Sequence, residues 1–115
     1  MFFYYFHSLK FYSVPPKIVT KPKDTVVKED EVLKLKCSGS GIPKPKMKWT
    51  KGKDNKEITN GQRYRISASG TLTIQSTVES DTGSYKCSAI ASNGWKDEVK
   101  VNVTILGEFN YVEAF

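Results

Sequence analysis

The sequence predicts an all-β fold, a two-sheet antiparallel Greek-key sandwich. Three observations point there. Short segments with apolar residues at every second position recur along the chain, separated by clusters of Gly, Pro, Ser and Asn. No segment keeps a helical period over a normal helix length. Cys37, Trp49 and Cys87 stand in the order and spacing expected when facing sheets each carry a cysteine and an indole packs beside them.

The elements follow in order. Pro15-Pro16 marks where the domain begins, because neither proline donates to a sheet ladder. Lys17 to Thr20 reads as a short edge strand, Pro22 interrupts it, and Thr25 to Lys28 resumes it. From Val32 to Ser38 the alternation places Leu33, Leu35 and Cys37 inward and Lys34 and Lys36 outward. Ser38 to Pro43 reads as a turn, from its Gly, Ser and Pro content. Pro45 to Lys51 is a strand with Met47 and Trp49 inward and Lys46 and Lys48 outward. Gly52 to Gly61 is polar and loop-like, with a short strand at Glu57 to Thr59. Arg63 to Ser67 turns Tyr64 and Ile66 inward, and after Ser69-Gly70 the same is expected of Leu72 and Ile74. Tyr85, Cys87 and Ala89 line the next strand, Ser92-Asn93-Gly94 makes a hairpin turn, and Lys96 to Ile105 closes the domain.

The 115 residues suit one domain, and 38% hydrophobic with 26% charged residues is a globular balance. Residues 1–14 read as an N-terminal tail, either a poor signal segment or a gene-model edge, residues 15–106 as the domain and 107–115 as a C-terminal tail. No apolar run is long enough to span a bilayer, so no membrane insertion is expected of this segment. Net charge is +6, carried mainly by lysine, which favours acidic partners without choosing among them. Two cysteines allow one bridge, closing a loop of about 50 residues and worth roughly 4 kcal/mol in the chain-entropy account. They also allow two buried free thiols, as in an intracellular setting.

Together these pieces resemble the intermediate, or I-set, immunoglobulin domains over about residues 15–105. The resemblance rests on Cys37, Gly41-Ile42-Pro43-Lys44-Pro45, Trp49 with Lys51, Leu72 with Ile74, the run from Asp81 through Gly83 and Tyr85 to Cys87, and Ala89 followed by Gly94. It implies an immunoglobulin-like sandwich with a Cys37–Cys87 disulfide and a core built on Leu35, Trp49, Leu72, Ile74 and Tyr85. It also implies that Tyr85 hydrogen-bonds backbone a few residues upstream, that Gly83 serves the tight turn before it, and that Asp81 pairs with Arg63 or Arg65. One departure is Ala91, where the family often has Asn.

Chemistry is not expected. The one histidine, His7, falls in the N-terminal tail, which leaves no partner for a nucleophile. Two cysteines without histidines do not make a zinc site, and no glycine-rich phosphate loop precedes a helix. No cofactor, metal or catalytic residue is expected. Asn102-Val103-Thr104 is an N-glycosylation sequon at an outward position.

Strand parity gathers Lys46, Lys48, Lys86 and Lys100 on one outer sheet face, with Lys51 and Lys53 extending it toward the adjoining loop. Such a face keeps a sheet soluble, and it is also a candidate site for a sulfated glycan such as heparan sulfate. Nucleic acid is not expected, because few exposed aromatics interleave with the lysines.

The leading expectation is a non-catalytic extracellular interaction module: one domain of a longer adhesion, matrix or receptor protein, binding cell-surface or matrix proteins, with homophilic binding to copies of itself as one option. The resemblance carries two alternatives. One is a structural I-set domain of a cytoplasmic, sarcomeric muscle protein. The other is a heparan-sulfate-binding domain similar to those of fibroblast growth factor receptors, from Pro45 to Lys51 and Val78 to Asp81.

Overall fold

The computed structural model describes the backbone of residues 2–6 and 9–107, and side chains from residue 12 onward. His7 and residues 108–115, on which the tail expectations partly fall, lie outside the described residues.

The strands are β1 (Phe2–Phe6), β2 (Leu9–Thr20), β3 (Thr25–Lys28), β4 (Leu33–Leu35), β5 (Ser38–Ile42), β6 (Lys46–Lys51), β7 (Lys56–Ile58), β8 (Tyr64–Ile66), β9 (Leu72–Ile74), β10 (Gly83–Ile90) and β11 (Lys96–Leu106). A single 3-10 turn at Glu79–Asp81 is the one helical element among the described residues. One layer is the sheet β3-β11-β10-β6-β7. Facing it is β4-β9-β8, continued by β5 into the sheet β1-β2-β5.

The alternation seen in the sequence becomes the core. Leu33, Leu35, Cys37, Leu72 and Ile74 from one layer meet Trp49, Tyr85, Cys87, Ala89, Val101, Val103 and Ile105 from the other, all buried. Cys37 and Cys87 are joined by a disulfide across the layers. Trp49 is fully buried, and its Nε1–H donates to the Gly70 carbonyl at 2.7 Å, so the indole brings no unsatisfied polar atom into the core. That close approach needs a glycine: Gly70 has φ of +117°, and a Cβ there would stand 2.8 Å from the Cys37 carbonyl oxygen.

Three expectations change. The Ser38–Pro43 turn is instead strand β5, paired with β2 through Val14↔Ile42, Lys17↔Ser40, Ile18↔Gly39 and Thr20↔Ser38. Its glycine content answers to packing: a Cβ on Gly39 would lie 2.9 Å from Ala89 Cβ and 3.0 Å from Met47 Sδ. The first strand does not start at Lys17. Its backbone is paired from Leu9, with Pro15 and Pro16 in a register shift between Val14 and Lys17, where a missing N–H costs no ladder bond. The short strand expected at Glu57–Thr59 sits one residue earlier, at Lys56–Ile58, because Ile58 pairs with Trp49.

The sheets are antiparallel except for β3, which runs parallel to β11 from Val103↔Thr25 to Leu106↔Lys28. Pro22 lies in the crossing between β2 in one layer and β3 in the other. The N-terminal strand therefore divides between sheets, and its second half runs beside the last strand in the same direction.

Candidate interaction surface

The outer face of the five-stranded sheet carries the side chains with the opposite parity to the core. On β6 these are Lys46, Lys48 and Thr50; on β10, Lys86 and Ser88; on β11, Lys96, Glu98, Lys100 and Asn102. The register sets Lys86 opposite Lys100, Ser88 between Lys48 and Glu98, and Ile90 opposite Lys46. The structure therefore brings Lys46, Lys48, Lys86 and Lys100 onto one face.

That face is not uniformly basic. Lys48 Nζ lies 3.5 Å from Glu57 Oε1, Lys86 Nζ 3.8 Å from Glu98 Oε2, and Lys96 Nζ 3.6 Å from the same Glu98 oxygen. Ser88 Oγ–H also donates to Glu98 Oε2, at 2.9 Å. Burial pushes the Glu98 carboxyl up, but the Ser88 hydrogen bond and the two ammonium groups outweigh it and hold the group below its ordinary value. Glu98 thus offsets the repulsion that opposed Lys86 and Lys100 would otherwise feel. Lys46 and Lys100 have no carboxylate within ion-pair distance among the described residues.

Lys51 does not extend this face, contrary to the expectation. It shares the inward parity of Trp49, and its ammonium sits 5.4 Å from the centroid of the Tyr85 ring and donates to the Ser80 carbonyl. Burial lowers its pKa, with Arg63 and Lys56 adding to the effect and Asp81 opposing it. Lys53 stands exposed in the turn between β6 and β7.

Asn102 is exposed on the same face, opposite Ser84, and its backbone N–H donates to Asp24 Oδ1 at 2.8 Å. It lies one pleat beyond Lys100, roughly 7 Å along the strand.

The end of the sandwich where β10 begins is held by a polar cluster. Arg63 makes a two-point contact with Asp81, Nη1 to Oδ2 at 2.9 Å and Nη2 to Oδ1 at 3.0 Å. Tyr64 Oη–H donates to Oδ1, and the Val78 N–H donates to Oδ2. Burial pushes the Asp81 carboxyl up, but these partners, Arg63 first, hold it below its ordinary value. Tyr85 Oη–H donates to the Asp81 carbonyl, and burial pushes that hydroxyl's pKa upward. Gly83 opens β10 just after this turn, and Arg65 is exposed.

Sequence parity alone missed Glu98 and Lys96, although both share the parity of Lys100 on β11. Glu57 was not legible at all, since its place opposite Thr50 depends on the β6–β7 register. A second surface was also missed. Trp95 and Ile42 are large exposed apolar residues that line a small cavity with Pro15, Pro16 and Pro43 at the β10–β11 turn.

Among the described residues no cluster of His, Cys, Asp and Glu has the form of a metal site, and no helix is long and apolar enough to cross a membrane.

Comparison with known proteins places this geometry. The immunoglobulin I-set domain model matches residues 16–105. Human hemicentin-1 is 40% identical over 101 residues, which cover 84% of this chain and 2% of that protein. Smooth muscle myosin light chain kinase from chicken is 32% identical over 96 residues, covering 81% of this chain and 5% of the kinase. The chain thus spans a small fraction of the length of these relatives. Titin domain M7 superposes with a TM-score of 0.74 at 36% identity, covering 82% of this chain and 96% of that domain. Relatives occur both among extracellular proteins such as hemicentin-1 and among intracellular muscle proteins such as titin.

Proposed function

This chain belongs to the immunoglobulin I-set family, and we propose that it serves as a non-catalytic, extracellular protein-interaction module within a longer adhesion, matrix or receptor protein. The module comprises residues 15–106. The observation that carries this reading is the buried disulfide between Cys37 and Cys87. A bridge of this kind persists in oxidising compartments, whereas cytosolic thiols are kept reduced. The sequon at exposed Asn102 agrees with the same compartment. Partner proteins are engaged through the outer sheet face and the apolar end around Trp95 and Ile42.

The test is mass spectrometry of the protein from its native source, with thiols alkylated before reduction. Unlabelled Cys37 and Cys87, released only by reductant, support the reading. Alkylation of both, with Asn102 unmodified, overturns it in favour of the intracellular muscle-type alternative.

A second reading is favoured by Lys46 and Lys100, which stand on the outer face with no carboxylate within ion-pair distance among the described residues. In it the face takes a sulfated glycan such as heparan sulfate. Heparin chromatography of the wild type against a triple variant, with Lys46, Lys48 and Lys86 each changed to Ser, tests it. Lower elution salt for the variant supports it, and equal elution removes it.

A further inference from the structure

The two edges of β6 are unequally covered. One edge pairs with β10 along the whole strand, from Lys46↔Ile90 to Lys51↔Tyr85. The other pairs with β7 only from Trp49↔Ile58 to Lys51↔Lys56. Beyond Ile58 the chain leaves the sheet and crosses to the edge of β8. There Asn60 Oδ1 accepts from the Ile66 N–H at 2.7 Å, and the Gly61 N–H donates to the Tyr64 carbonyl at 2.9 Å. The crossing segment thus closes the β8 edge. It leaves Lys46–Lys48 without a ladder partner on the β7 side, among the described residues. A cavity of about 560 Å³ fills this notch, lined among others by Lys44, Lys46, Met47, Ile58 and Ile66.

We propose that the notch is a docking site for an extended, acidic segment of a partner protein, which takes the place β7 vacates and pairs with the backbone of Lys46–Lys48. The backbone edge supplies affinity and the alternation of a strand supplies selectivity. Side chains turned inward meet Met47, Ile58 and Ile66, all partly buried and packed on the core, so these positions take apolar residues. Side chains turned outward lie beside Lys46 and Lys48. Lys44 and Lys46 have no carboxylate within ion-pair distance among the described residues, and the nearby Glu57 is already engaged by Lys48 at 3.5 Å. The rim therefore selects carboxylates at the alternate positions. This inference rests on the interaction-module reading and adds to it the place and the chemistry of one partner segment.

The experiment is an amide NMR titration of the folded chain with a six-residue peptide alternating aspartate and valine. Two control peptides replace aspartate by lysine or methylate alternate amide nitrogens. The acidic peptide is expected to bind weakly, near millimolar, and to shift the amides of residues 46–48, 58–60 and 66. The lysine peptide is expected to leave them unmoved, and methylation to weaken binding by about tenfold or more, since it removes ladder hydrogen bonds. Reversing charge with Lys44→Glu and Lys46→Glu, at two exposed positions, is expected to weaken binding by about tenfold with an unchanged melting temperature. No binding of the acidic peptide, equal binding of the lysine peptide, or indifference to methylation overturns the proposal. So does movement of the same amides with protein concentration alone, which assigns the notch to a second copy. A partner captured elsewhere with the notch silent also overturns it, while leaving the interaction-module reading intact.

Discussion

Arg63 and Asp81 meet in a two-point ion pair at 2.9 and 3.0 Å, although Arg65 offers the same chemistry two residues on. Strand parity does not separate them, since residues two apart share a face; their places relative to β8 do. Arg63 lies before β8 with its guanidinium over the buried carboxylate, while Arg65 points to solvent. Arg63→Ala leaves Asp81 buried and short of its strongest partner, and is expected to cost about 2–4 kcal/mol. Arg65→Ala is expected to stay within about 0.5 kcal/mol. Urea unfolding of the two variants distinguishes them, and equal losses would contradict the assignment.

Acid should destabilise the domain through Asp81 and Glu98. Both carboxyls are held below their ordinary values in the folded state. Their contribution is therefore complete above the unfolded pKa values, near 4, and is lost as pH falls through the lower folded values. Thermal melts from pH 6 to pH 2 should show a melting temperature that falls mainly below about pH 4. In Asp81→Asn that fall should be shallower.

Replacing both Cys37 and Cys87 by Ala should lower stability by roughly 4 kcal/mol, the loop-closure term for about 50 residues. Reduction of the wild type under native conditions should be slow, because both sulfurs are buried. A double variant as stable as the wild type in denaturant would show that packing around Trp49 alone holds the layers.

Gly39→Val should disturb the molecule more than its Ser- and Gly-rich surroundings suggest. The added side chain meets Ala89 and Met47 at about the distance of overlap, and overpacking of this kind costs about 1–3 kcal/mol. Calorimetry of this variant beside Ser40→Val, at an exposed neighbouring position, separates a strand in contact with the core from a free turn.

On the outer face, Glu57→Gln with Glu98→Gln should release Lys48, Lys86 and Lys96 from their carboxylates. If that face takes a sulfated glycan, elution from heparin should move to higher salt, since each removed charge strengthens a screened attraction. Unchanged elution would count against a glycan there.

Much of this was legible in the chain itself. The alternation of Leu33 with Leu35, of Leu72 with Ile74, and of Tyr85 with Cys87 and Ala89 depends on nothing but the two-residue period of a strand. So does the sorting of Lys46, Lys48, Lys86 and Lys100 to one side. What failed was local propensity read without neighbours. Ser38–Ile42 has turn composition but strand geometry, because Ala89 and Met47 press against Gly39. Lys51 looked like one more exposed lysine until its parity placed it over the Tyr85 ring.

Periodicity and the Cys37, Trp49 and Cys87 spacing determined by themselves the fold class and most of the core, because inward and outward alternation is a property of each strand alone. Only the tertiary structure decided which lysines keep their charge free and that half of one β6 edge stands open, both among the described residues, and that Arg63 rather than Arg65 holds Asp81. Those outcomes depend on register between strands distant in sequence, and register comes from packing of the whole sandwich rather than from any single segment.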